Sequence, residues 1–131
     1  MRSIHDNHVF AYTVNCEERQ LILHTRTGNA DDSELTDVVF AGVIAHHFEN
    51  VLNHNILFDI TEVDPDDIVT AEADRFSESW KWNWPPVDYR GNLSTLKQLL
   101  REQGIRGFKI SSSYGLSGWV LANDCERRTA M

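Results

Sequence analysis

The sequence predicts an α+β domain: a mostly antiparallel sheet of about six strands with two helices packed on one side. Two observations carry this expectation. Runs rich in β-branched and aromatic residues, bounded by turn formers, fill residues 8–60 and 105–123. Helical periodicity is confined to the block between them, so the strands do not alternate with helices as a parallel sheet would require. At 131 residues the chain has the size of one domain, and 1–131 is read as a single unit ending in a polar, frayed tail at 124–131.

The elements follow in order. Residues 8–16 alternate, with Phe10, Tyr12 and Val14 on one face and Val9, Ala11 and Thr13 on the other. A Glu17-Glu18-Arg19 turn leads into 20–27, where Leu21 and Leu23 oppose Ile22 and His24, giving an antiparallel hairpin. After a polar loop at 28–34, the densest apolar stretch begins: 36–41 and 43–49 joined through Gly42, then 55–60. Glycine inside a strand pattern marks a bend or bulge. Residues 55–60 are apolar on both faces, as expected of an interior strand.

The period changes at Asp64-Pro65-Asp66-Asp67. Asp64 suits an N-cap, Pro65 the first turn, and the acids face the positive end of the helix dipole. Val69, Ala73, Phe76 and Trp80 then form an apolar stripe on one helix running to about Lys81. Pro85-Pro86 stops it. Leu93, Leu96, Leu99 and Leu100 signal a second helix closed by Gly104, and 105–112 with 117–123 form a last hairpin.

The formal charge is −8, with 12 basic and 20 acidic side chains. Such a balance disfavours nucleic acid and anionic membrane as partners. The distribution is uneven: residues 1–74 carry 3 basic and 15 acidic side chains, net −12, whereas 75–131 carry 9 and 5, net +4. An acidic surface of this kind steers a basic partner toward itself. The first ten residues show no apolar signal core, and no apolar run approaches the roughly 20 residues that span a bilayer. A cytoplasmic location is expected, with Cys16 and Cys125 as free thiols.

Chemical motifs are few. His5, Asp6 and His8 could offer metal ligands from one loop, completed by His46, His47 or His54, although His46 and His47 fall on opposite faces of their strand. Asp59 and Glu62 are accounted for by a strand end entering a helix cap, and residues 111–118 lack the spacing and following helix of a nucleophile elbow. No motif calls for a cofactor. Trp80, Trp82, Trp84 and Tyr89 are the remaining signal, since such side chains dominate binding interfaces. They also serve cores.

Residues 4–14, 36–50, 55–60 and 104–122 together resemble small uncharacterised bacterial proteins of the polymorphic-toxin immunity type. That resemblance implies a compact acidic α+β domain that blocks a cognate toxin and carries no catalytic residue. The leading expectation is therefore a protein-binding module, in which Asp31, Asp32, Asp64, Asp66 and Asp67 attract a basic partner while Trp82, Trp84 and Tyr89 supply buried anchor area. The alternatives are a small metal-dependent enzyme built on the histidines, and an accessory domain that associates with its own copy through the tryptophan loop.

Overall fold

In a computed structural model that describes residues 4–27 and 34–130, eight strands form one antiparallel sheet: β1 (His8–Asn15), β2 (Gln20–Arg26), β3 (Leu35–Ala41), β4 (Ala45–Glu49), β5 (Asn55–Val63), β6 (Arg106–Tyr114), β7 (Ser117–Ala122) and β8 (Asp124–Thr129). Their spatial order is β4-β7-β6-β5-β1-β2-β3-β8. Three helices, α1 (Pro65–Ala71), α2 (Ala73–Ser79) and α3 (Leu93–Glu102), with a 3₁₀ turn at Trp80–Trp82, complete the α+β fold. The strand count therefore exceeds the expected six, and the helix count the expected two.

Both surplus strands come from one corner. β3 and β4 are a single path bent at Gly42, and β7 and β8 a single path bent at Asn123. The two paths pair along their whole length, β3 with β8 and β4 with β7. Bonds on either side of the bend keep the ladder continuous: Ile44 N donates to Leu121 O at 2.9 Å and Asn123 N to Ala41 O at 3.0 Å. The polar residues after Asp124 are thus a strand rather than a frayed tail. Their alternation of charges reflects an edge with one solvated face, which composition alone does not separate from a disordered end.

Because one residue joins β7 to β8, the ends of the pairing order are connected by the chain and the sheet rolls closed around an apolar centre. Leu21, Leu23, Val38, Phe40, Leu57, Phe108, Ile110 and Val120 fill that centre. A bulge at Phe10 sets the phase of β1: Val9 pairs with Thr25 and Ala11 with His24. Val9 consequently shares a face with Tyr12 and Val14, which pair with Leu23 and Leu21, but of these only Val9 is buried; Tyr12, Val14 and Phe10 are all exposed. β5 is interior only at its start, where Val9 and His8 pair with Asn55 and Ile56. Beyond Leu57 it pairs with β6 alone, so Phe58 faces solvent.

The second core lies on the outer face of β7, where Trp119 and Leu121 meet Ile68, Val69, Phe76, Leu96 and Leu100 of the helices. Asp64 caps α1 by accepting from Asp66 N at 2.9 Å, and Asn92 caps α3 through Thr95 N at 3.0 Å. Arg101 of α3 pairs with Asp66 of α1. An exposed pair of this kind contributes about 0–1 kcal/mol, whereas each buried leucine contributes about 1.5–3 kcal/mol. Apolar packing therefore sets how α1 and α3 dock.

One buried polar residue ties the roll together. Asn55 Oδ1 accepts from Leu52 N at 3.0 Å and Leu116 N at 2.8 Å, while its Nδ2 donates to Leu52 O at 2.8 Å and Val9 O at 3.3 Å. Asn55→Ala strands those backbone groups in the interior and should destabilise the domain by about 2–4 kcal/mol, read as a lowered urea midpoint. The exposed substitution Thr61→Ala should stay within about 0.5 kcal/mol.

Candidate functional site

A cavity of about 570 Å³ forms an open groove between α1 and the β4-β7-β6 surface. Its floor is apolar, made by Val63, Ile68, Ala71 and Trp119, and its charged rim consists of Glu49, Asp67, Glu72 and Lys109. The three acidic rim residues each have a structural reason for their place. Glu49 ends the short strand β4, Asp67 lies in the first turn of α1, and Glu72 is the junction between α1 and α2.

Glu72 also explains why the single helix expected from 65 to 81 is two. Its backbone leaves the helical region at φ −107°, ψ 26°, and its carboxylate is held by two partners. Trp119 Nε1 donates to Oε1 at 3.1 Å and Arg75 Nε to Oε2 at 3.1 Å. The turn between the helices lets α1 bury Ile68 and Val69 while α2 buries Phe76 against Trp119, 5.7 Å between ring centroids, and Trp84, stacked at 5.4 Å.

The residues singled out by sequence meet different fates. Asp31 and Asp32 lie outside the described residues. Asp64 is used as the α1 cap and Asp66 is engaged by Arg101, leaving Asp67 as the member of that trio that lines the groove. Tyr89 is not a surface anchor: it is 1% exposed, and its hydroxyl donates to Phe76 O at 2.6 Å. The physical reason is the turn at 83–92, which folds back over α2 and gives the phenol a carbonyl to bond. Trp84 is half buried in the same cluster, while Trp82 is 76% exposed. Trp119, Glu49, Glu72 and Lys109 carry no local sequence signal as a group, because the contact between Trp119 and Glu72 spans 47 residues.

The histidines divide likewise. His5 lies 3.5 Å from Asp6 and meets Phe58 edge-on at 5.3 Å between centroids, and His8 stands edge-on to His54 at 4.6 Å. His46 and His47 do take opposite faces, beside Phe48 and Trp119 respectively. Among the described residues no three of His, Cys, Asp or Glu converge as metal ligands. Cys16 and Cys125 are free, and burial pushes the Cys125 thiol up to about 11. No helix of the described residues is long and apolar enough to cross a membrane.

No protein family matches the chain, nor does any curated protein or solved structure.

Tyr89→Phe should cost about 1–2 kcal/mol, because the Phe76 carbonyl loses its buried partner. Trp82→Ala should leave stability within about 0.5 kcal/mol, and urea titration of both separates the core aromatic from the surface one. Burial lowers the affinity of His8 and His46 for protons, helped by His54 and Arg26 for the first and by His47 for the second. The unfolded chain therefore binds more protons than the native one just below about pH 6.5. This contribution to stability is complete above that pH and is lost as pH falls through it toward the lowered native values. Comparing urea midpoints at about pH 7.5 and about pH 5.5 should show a smaller drop in His8→Gln/His46→Gln than in the native chain.

Proposed function

We propose that the chain is a cytoplasmic protein-binding module that occludes a basic partner, in the manner of an immunity-type inhibitor, and that the groove beside α1 receives a basic segment of that partner. The observation that carries this is the rim: Glu49, Asp67 and Glu72, the last already paired with Arg75, stand with one amine, Lys109, over an apolar floor that includes Trp119. A lysine or arginine entering there would lay its alkyl stem on Ile68 and Ala71 and its charge among the carboxylates. The net −12 of residues 1–74 would raise the encounter rate, and exposed Trp82 offers additional apolar contact area.

The test has two stages. Affinity capture of the tagged chain from a lysate of its source organism, at low and high salt, supplies the partner. Association with that partner is then measured for Glu49→Lys/Asp67→Lys, neither of which has a role in the core. Association should slow by roughly tenfold or more and lose much of its salt dependence. Unchanged association, or an eluate containing only this chain, would overturn the proposal.

A further inference from the structure

A line of hydrogen bonds crosses three neighbouring strands on the outer face of the sheet. Thr13 Oγ1 and His24 Nε2 are 2.9 Å apart, and His24 Nδ1 and Asp37 Oδ1 are 3.0 Å apart. The groove uses none of these residues. His24 stands directly opposite Asp37 in the β2–β3 ladder, and Thr13, opposite Ile22, is its diagonal neighbour on β1.

The alignment depends on the bulge at Phe10. Continuing the Val9–Thr25 register without the extra residue would set Thr13 opposite Leu21, whose side chain faces the core. The inserted residue turns Thr13 outward onto the face of His24. Re-aiming a side chain in this way is a recurrent use of bulges. Phe10 itself lies beside the imidazole, 6.3 Å between centroids, with the Arg26 guanidinium over the Phe10 ring at 5.6 Å from its centre.

The chemistry follows from the donor and acceptor inventory. An ionised Asp37 only accepts, so the neutral imidazole carries its proton on Nδ1 and presents the Nε2 lone pair to the threonine hydroxyl. A base held by a carboxylate and bonded to a hydroxyl is the arrangement that activates an oxygen nucleophile. His24 and Asp37 are about a quarter exposed, and Thr13 is exposed, so a small reagent can reach the hydroxyl.

We propose that Thr13 is an activated hydroxyl that accepts an acyl group from an activated acyl donor, with His24 as its general base and Asp37 as the positioning residue that fixes the imidazole. In the step, Thr13 Oγ bonds to the carbonyl carbon of an aryl ester as its proton passes to His24 Nε2. The carbon–oxygen bond to the aryl group then breaks, the aryl oxide leaves, and it takes the proton from His24 directly or through solvent. The products are an acylated Thr13 and a phenol. Since the hydroxyl stands on an open sheet face, the expected outcome is stoichiometric acylation of Thr13 rather than rapid turnover.

The experiment treats the full chain with p-nitrophenyl acetate and follows acetylation of each threonine by peptide mass spectrometry. Thr61, also exposed on a strand, serves as the internal reference. Thr13 should be acetylated about tenfold or more faster than Thr61. His24→Gln should slow Thr13 labelling by about 10²-fold, Asp37→Asn should slow it by about tenfold or more, and Thr13→Ser should retain labelling at that position. Near-UV circular dichroism establishes that each variant is folded, and Thr61 labelling should be the same in all. Equal rates at Thr13 and Thr61, or Thr13 labelling unchanged by His24→Gln and Asp37→Asn, would overturn the assignment.

Discussion

The bend shared by Gly42 and Asn123 is the constraint on which the remaining architecture depends. Gly42 adopts φ +66°, and a β-carbon there would overlap the Asn123 side chain, so the two residues fit only as a pair. Asn123 in turn donates through Nδ2 to Gln103 O at 2.9 Å and Gly104 O at 3.2 Å, occupying carbonyls at the end of α3. A single side chain thereby links the corner of the sheet to the end of a helix. The bend lets one pair of strands serve two walls, and it closes the sheet without a long connection.

Closure divides the interior into two cores, and each is stabilised differently. The centre of the roll is aliphatic and pinned by Asn55, together with a small buried network in which Asn7 donates to Thr25 Oγ1 at 3.0 Å and Thr25 donates to Thr36 O at 2.7 Å. Satisfied buried polar groups of this kind contribute modestly to net stability but penalise alternative registers. The layer beneath the helices is aromatic instead. Phe76, Trp84 and Trp119 meet there, and Tyr89 seals them by bonding the backbone of α2.

The acidic character of the N-terminal half is only partly available for binding. Asp64 is committed to a helix cap, Asp66 to Arg101, Asp37 to His24, and Glu62 to Arg106, whose guanidinium holds the Glu62 carboxyl below its ordinary range. The groove rim is assembled from three places where the chain turns between elements, and even there the Glu72 carboxylate is held by Trp119 and Arg75. The proposed binding groove thus draws on residues that secondary structure leaves at the ends of strands and helices.

Much of the fold was legible in sequence because its causes are local. The Asp64-Pro65 helix start, the Gly42 bend, the Gly104 stop and both terminal hairpins follow from backbone preference and from alternation of apolar residues, which neighbours a few positions away determine. The bulge at Phe10 was not legible, since it is a difference in register between two strands, and it moved Val9 to the face of Tyr12 and Val14 while Ala11 and Thr13 kept the opposite face. Nor was β8, whose polar sequence becomes a strand only because β3 presents a free edge to it. By itself the sequence determined the α+β class, the helix caps and the charge asymmetry. The tertiary structure alone decided that Tyr89 is core, that Trp119 meets Glu72, and that Thr13, His24 and Asp37 line up. Those contacts join residues far apart in the chain, and their energies depend on burial and register that no short stretch encodes.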